Sequence, residues 1–302
     1  MRMLSAAALC LLAATSASAS NQDQPLSMEE AAETLALVNI DSRMTVPVQI
    51  GVSGPHRFVI DTGAQRTVIS RELALTLGLL KGRDVRLTSM TGASRVGTAI
   101  IPSIKVSILG GERIEAPALA ARHLGASGML GIDALQGHKL SIDFDTDTMS
   151  ITPSKRRPRP TENFARGDIV IRAASVFGQL VVTDAKYRGR KVQVVLDTGS
   201  PVSIGNNALR LLVAKRGKIE PILLTSVTGQ EMSANYTQID AVEMGGAIFQ
   251  NLPIAFADAA PFKQFKLEKR PAILLGMDAL GLFRRVDIDF ANRELRLARP
   301  RV

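Results

Sequence analysis

The chain repeats itself, and the repeat constrains every other reading of it. Four landmarks recur in the same order along 302 residues. Phe58-Val59-Ile60-Asp61-Thr62-Gly63-Ala64 is answered by Val194-Val195-Leu196-Asp197-Thr198-Gly199-Ser200, 136 positions later. Leu87-Thr88-Ser89-Met90-Thr91-Gly92 returns as Leu224-Thr225-Ser226-Val227-Thr228-Gly229 at an offset of 137. Met129-Leu130-Gly131-Ile132-Asp133-Ala134-Leu135 returns as Leu274-Leu275-Gly276-Met277-Asp278-Ala279-Leu280 at 145, and Ile142-Asp143-Phe144 as Ile288-Asp289-Phe290 at 146. Offsets that hold nearly constant and step only between landmarks are those of a duplicated domain with loop insertions.

Around the landmarks the pattern is that of strands. Val46, Val48, Ile50 and Val52 alternate with other residues, as a half-buried strand requires, and Gly54-Pro55 predicts a break before Phe58-Val59-Ile60. The second copy repeats this with Leu180 and Val182, a turn near Arg188-Gly189, and Val192 to Leu196. Short helices are expected over Thr67 to Gly78, over Ser203 to Val213, and just after Gly131 and Gly276. Another is expected from about Met28 to Val38, where Ser27 and Glu30 form a capping-box pattern. The expected organisation is a leader at 1–19, an extension with a short helix at 20–43, a first lobe at 44–153, a linker at 154–177 and a second lobe at 178–302.

The first residues have the form of a secretory signal: Arg2, an apolar run from Leu4 to Thr15, and the small-residue site Ala17-Ser18-Ala19, with cleavage expected after Ala19. That run is too short to span a bilayer, and no later stretch is long and uncharged enough. The expectation is an exported, periplasmic or secreted protein with no stable membrane insertion of the mature chain. Cys10, the only cysteine, lies inside the leader, so neither a disulfide nor a thiol nucleophile is expected afterwards. His56, His123 and His138 lack metal-ligand spacing, and neither a metal nor any other cofactor is expected.

The net charge of +9 is partly local: Lys155, Arg156, Arg157 and Arg159 alternate with Pro153, Pro158 and Pro160. This reads as an extended, solvated linker, with an anionic partner as the sharper alternative. Without tryptophan or a basic-aromatic motif, nucleic-acid binding is not expected.

The chemistry lies in the two Asp-Thr-Gly tripeptides. An aspartate raised by an apolar strand and followed by Thr-Gly sits at a tight turn, where glycine lets another chain approach closely. One such turn is commonly only a turn. Two, at matched positions in two half-domains, bring two carboxylates to a pseudo-twofold axis if the halves pair face to face. There one ionised carboxylate can take a proton from a shared water while its protonated partner polarises a scissile carbonyl. Two such close carboxyls lose their protons in separated steps that belong to the pair. Ser200 follows the second tripeptide where Ala64 follows the first, and a Ser200 hydroxyl donating to Asp197 would leave Asp197 charged and Asp61 protonated.

Each repeat resembles the retroviral-type (retropepsin-like) aspartic proteases in their bacterial exported form. The resemblance covers both Asp-Thr-Gly loops, both glycine-bearing hairpins and both later Leu-Gly elements. It implies a mainly β fold: two acid-protease β-barrel lobes related by a pseudo-twofold axis, with few short helices. It also implies Asp61 and Asp197 as the catalytic pair of an aspartic endopeptidase. Thr62, Gly63, Ala64, Thr198, Gly199 and Ser200 would then support the loops, and Thr91, Gly92, Thr228 and Gly229 would lie at substrate-binding flaps. Leu130, Gly131, Leu275 and Gly276 would brace the loops from behind. Retropepsins usually build the site from two identical chains, whereas here both halves lie in one.

Asp133 and Asp278, although repeated, follow glycines where short helices should start, and are read as N-caps. Asp143 and Asp289 alternate with apolar residues in a late strand and are read as solvent-facing or paired with arginine. A polypeptide is the expected substrate, bound as an added strand. The rival function is a catalytically silent peptide-binding module of the same fold. The expected assembly is a monomer with intramolecular lobe pairing, and the rival assembly is a homodimer that pairs lobes from two chains.

Overall fold

A computed structural model describes residues 34–36, 38–40, 43–107, 109–157, 168–213 and 219–298. Within them the chain is mainly β, with few and short helices, in two tandem lobes whose sheets curl.

The two lobes share one strand order. In the first, Arg43–Ile50, Ser53–Ile60, Gly128–Leu130, Val68–Ser70, Ile114–Leu119 and Thr98–Ile101 lie side by side. In the second, Gln179–Val182, Gln193–Leu196, Ala272–Leu275, Ile204–Gly205, Leu252–Phe256 and Glu231–Ile239 take the same places. The apolar segments explain the order. Val59 and Ile60 pair in parallel with Met129 and Leu130, and Val195 and Leu196 with Leu274 and Leu275; all eight side chains are buried. β-branched and aliphatic residues covered on both faces favour such central strands. Each Leu-Gly segment is thereby placed beside the strand that delivers an aspartate.

A third sheet joins the lobes. Its order is Thr34–Ala36, Thr148–Pro153, His138–Asp143, Arg285–Asp289, Glu294–Ala298 and Ile169–Arg172. The seam is the antiparallel pair His138–Asp143 and Arg285–Asp289, in register from Lys139 with Asp289 to Asp143 with Arg285. Leu140 and Ile142 on one side and Val286 and Ile288 on the other point into a single apolar core. That core is continuous with the cores of both lobes, so separating the lobes would expose apolar surface at the seam.

Several local expectations are corrected. The first turn falls at Gly51-Val52, where Gly51 has φ +57° and Val52 is fully exposed, and the next strand already includes Gly54-Pro55. The helix expected over Thr67 to Gly78 is a strand, Val68–Ser70, followed by a helix only over Arg71–Thr76, capped by Ser70 Oγ accepting from Leu73 N–H at 3.1 Å. Likewise Ser203 to Val213 gives the strand Ile204–Gly205 and the helix Asn207–Arg210, capped by Asn206. In both places β-branched residues are taken into the sheet by neighbours distant in sequence, which overrides local helix preference. Helices Ile132–Leu135 and Met277–Leu280 follow Gly131 and Gly276 as expected.

The leader lies outside the described residues, as does most of the helix expected over Met28 to Val38. Within that span Thr34–Ala36 is strand and pairs with Thr148–Ser150. The start of the linker is strapped to the second lobe rather than solvated. Ser154 Oγ donates to Asp289 Oδ1 at 2.8 Å, and Arg157 N–H donates to Asn292 Oδ1 at 2.8 Å. The linker's last part, Ile169–Arg172, is an edge strand on Glu294–Leu297. No helix among the described residues is long and apolar enough to cross a membrane.

Candidate active site

Strand Ser53–Ile60 ends in the buried triplet Phe58-Val59-Ile60, and Gln193–Leu196 ends in Val194-Val195-Leu196. Asp61 and Asp197 follow as the first residues beyond the ladders. Asp61 N–H donates to Leu130 O at 2.9 Å and Asp197 N–H to Leu275 O at 3.0 Å, so the Leu-Gly segments fix where each loop begins. Ile132 N–H donates to Ala64 O and Met277 N–H to Ser200 O, both at 2.9 Å, closing each loop from its far end.

The two loops interlock through their threonines. Thr62 N–H donates to Thr198 Oγ1 and Thr198 N–H to Thr62 Oγ1, each at 3.1 Å. Thr62 Oγ1 in turn donates to Leu196 O at 3.1 Å, and Thr198 Oγ1 to Ile60 O at 2.8 Å. Both threonines are buried, so these bonds satisfy groups that water cannot reach.

Glycine is required beside the aspartates. A methyl group on Gly63 would come within 2.7 Å of Asp197 Oδ1, and one on Gly199 would overlap the Asp61 carboxyl. Each loop's glycine thus lies against the other loop's aspartate, which brings the two carboxyls together. Asp61 Oδ1 also accepts Gly63 N–H at 2.7 Å and Ala64 N–H at 2.9 Å. Beside Asp197, the backbone N–H groups of Gly199 and Ser200 favour the charged form, but less than its surroundings oppose it. Burial first, and the Asp61 carboxyl second, hold Asp197 well above the usual carboxylate range. The expectation that Ser200 donates to Asp197 is corrected: Ser200 Oγ donates at 2.7 Å to the carbonyl of Val202, not to a carboxylate.

Behind the loops, Leu130 and Leu275 are buried, and Gly131 and Gly276 lie so close to the backbones of Arg66 and Val202 that any side chain would collide. Here the N-cap reading of Asp133 and Asp278 is corrected, because the caps are the glycines themselves. Asp133 instead accepts from Thr67 N–H at 2.9 Å and Thr67 Oγ1 at 2.8 Å, and Asp278 from Ser203 N–H at 2.9 Å and Ser203 Oγ at 2.6 Å. Thr67 Oγ1 and Ser203 Oγ then accept from Gly131 N–H and Gly276 N–H. These two hydroxyls were not singled out from the sequence. Their one signal is that each lies six residues beyond its aspartate in both copies. Asp143 closes a local turn with the N–H groups of Asp145 and Thr146, whereas Asp289 is buried and meets Arg157 at 3.5 Å.

Thr91-Gly92 and Thr228-Gly229 sit at the turns of two hairpins, Val85–Ser89 with Gly92–Val96 and Glu220–Thr225 with Glu231–Ile239. The turns touch. Ser89 Oγ and Thr228 Oγ1 share a hydrogen bond at 3.2 Å, and Thr91 Oγ1 donates to Gln230 Oε1 at 2.8 Å. Each turn also places an apolar residue in the opposite lobe: Met90 packs with Val181, Ile204 and Phe262, and Val227 with Val59, Leu119 and Leu124. Ala260 N–H holds Met90 O at 2.8 Å. Gly229, at φ +84°, leaves no room for a side chain because the imidazole of His123 lies against it. Sequence reasoning identified the threonines and glycines but missed Gln230 and His123, which belong to no repeated motif.

A polar concavity on the joining sheet, lined by Lys139, Arg157, Arg285, Asp287, Asp289 and Glu294, contains neither Asp61 nor Asp197. Its carboxylates are met by arginines: Asp287 by Arg285 at 2.8 Å and Glu294 by Arg296 at 2.5 Å.

Comparison with known families agrees with the repeat. Residues 46–137 match the family described as "gag-polyprotein putative aspartyl protease", and residues 183–279 match the family described as "Aspartyl protease". No curated protein matches the chain. Two retropepsin-like aspartyl protease domains therefore stand in tandem in this one chain, and it belongs to that family.

Proposed function

We propose that the protein is an aspartic endopeptidase in which Asp61 and Asp197, one from each lobe, act together on a single water. The observation that carries this reading is the meeting of the two carboxyls between loops whose glycines admit nothing larger. Asp197 supplies the proton that polarises the scissile carbonyl, and Asp61 takes the proton from the attacking water. Two backbone N–H groups steady the charge on Asp61 Oδ1. Asp61 then passes that proton to the departing amine as the C–N bond breaks, and the hydroxyl formed on the carbonyl oxygen returns its proton to Asp197, which restores the pair. The hairpin turns are the flaps, and a polypeptide substrate lies beneath them as an added strand. One chain supplies both aspartates, since the threonine interlock and the joining sheet are both made within it. Export follows from the leader, with cleavage after Ala19.

The test is hydrolysis of an unfolded, fluorescently labelled casein across pH 3 to 7 (roughly the span over which a carboxyl pair titrates), with and without a pepstatin-type inhibitor. Asp61→Asn and Asp197→Asn variants run in parallel. Inhibitor-sensitive cleavage lost in both variants supports the peptidase. Peptide binding without cleavage, indifferent to both substitutions, supports the silent binding module.

A further inference from the structure

The first lobe's catalytic loop receives a side chain from the second lobe. Gln179 opens the strand Gln179–Val182 in the second lobe, and its side chain crosses to the first, where Nε2 donates to the carbonyl oxygen of Gly63. The residue is 4% exposed, so this amide competes with no solvent. The turn before it, Phe177-Gly178, is seated on the first lobe: a methyl on Gly178 would come within 3.2 Å of Ile132 and 3.1 Å of Gln136 Nε2. Register places Arg43 at the equivalent position of the first lobe. Val176 pairs with Gln179 as Ile40 pairs with Arg43, two residues before the equivalent pairs Val181 with Val195 and Thr45 with Val59.

The Gly63 carbonyl belongs to the same peptide unit as Ala64 N–H, and that N–H donates to Asp61 Oδ1 at 2.9 Å. A donor on the oxygen end of a peptide polarises its N–H end, so hydrogen bonds in such a row strengthen one another. The row runs from the second lobe's amide, through the peptide between Gly63 and Ala64, to the first lobe's carboxylate. Meanwhile Gln179 Oε1 is buried with no partner among the described residues. A buried acceptor left unmet costs stability. A leucine would avoid that cost, and the glutamine is accounted for by what its donor does.

We propose that Gln179 is a positioning residue that makes Asp61 the charged member of the pair, so that the first lobe's carboxylate is activated by the second lobe. This rests on the reading of Asp61 and Asp197 as a catalytic dyad. Without the Gln179 donor the Ala64 N–H is a weaker partner, the carboxylate form of Asp61 loses support, and the lower of the pair's two titration steps moves up in pH.

The experiment compares the wild type with Gln179→Leu and Gln179→Glu in the full chain. Titration of carbon-13-labelled aspartate carboxyls by NMR, with Asp61→Asn and Asp197→Asn used for assignment, reads the pair without relying on catalysis. In Gln179→Leu the lower step should move to higher pH. On labelled casein, kcat should fall about tenfold, as loss of one positioning bond would give, with KM within about twofold. Gln179→Glu should behave as wild type in acid, where its neutral carboxyl can still donate to Gly63 O. It should lose activity at a lower pH than wild type as that donor ionises. An unchanged pair titration in both variants overturns the proposal, and so does a fall in kcat with the titration in place, which marks a purely structural role. Hydrolysis persisting in Asp61→Asn or Asp197→Asn would instead overturn the dyad itself.

Discussion

Thr62 and Thr198 hold each other across the lobe boundary, each backbone N–H donating to the other's side-chain oxygen at 3.1 Å. Each hydroxyl also donates to the strand that delivers the opposite aspartate, at Leu196 or Ile60. Four bonds thus fix two loops that approach from different lobes, and the carboxyls inherit their separation from this lock.

Replacing either threonine by valine keeps the shape but strands a buried N–H in the partner loop and a carbonyl in the partner strand. Each stranded group costs about 1–3 kcal/mol, so Thr62→Val and Thr198→Val should each lower the unfolding free energy by roughly 2–5 kcal/mol in urea titrations. The double variant should lose less than the sum, because both substitutions break the same reciprocal bonds. Serine should be nearly neutral at either position.

The raised Asp197 carboxyl predicts a pH dependence of stability. Its folded form holds the proton more tightly than the unfolded chain does. Its contribution is therefore favourable at acid pH and is lost as pH rises from the unfolded value, near 3.9, through the folded one. Asp197→Asn removes the ionisation. It should melt a few degrees above wild type at neutral pH, with the gap closing toward pH ~4, as differential scanning calorimetry would record. Equal gaps at both pH values would contradict the assignment.

The hairpin turns proposed as flaps make an asymmetric prediction. Gly92, at φ +143°, has nothing within 4 Å of where a side chain would start, whereas Gly229 faces His123. Both substitutions to alanine strain the backbone, but Gly229→Ala adds a collision. It should raise KM about tenfold or more, against a few-fold for Gly92→Ala, since misplacing a binding element by about 1 Å can cost up to 10²-fold. Adding His123→Ala to Gly229→Ala should recover part of that loss in steady-state kinetics.

The joining sheet predicts assembly. With Leu140, Ile142, Val286 and Ile288 buried in one core, activity per molecule should stay constant on dilution to low nanomolar concentrations. Exchange of lobes between chains would instead make activity fall with concentration. Isotopically distinct preparations mixed and examined by native mass spectrometry would report the same difference.

What was legible in the sequence was whatever is encoded twice. Asp61 and Asp197, Leu130-Gly131 and Leu275-Gly276, and the Thr-Gly turns recur at matched offsets, and the structure gives each pair equivalent positions in the two lobes. The boundaries after each aspartate were not legible. Val68-Ile69 and Ile204 are drawn into sheets by Met129 and Leu274, partners far along the chain that no local window contains. Asp133 and Asp278 were misread for a similar reason, because their hydroxyl partners Thr67 and Ser203 lie 66 and 75 residues away. The role expected of Ser200 was misread because its rotamer sends Oγ to the Val202 carbonyl. Gln179, Gln230 and His123 escaped because none of them belongs to a repeated motif.

The central claim is that Asp61 and Asp197 act as a unit, and kinetics of the two single variants and the double variant test it most directly. If the pair shares one water, Asp61→Asn, Asp197→Asn and the double variant should each reduce kcat on unfolded casein by about 10³-fold or more. The double variant should be no worse than either single one, because residues acting as a unit fail together. Substantial turnover in either single variant, or losses that multiply in the double, would contradict it.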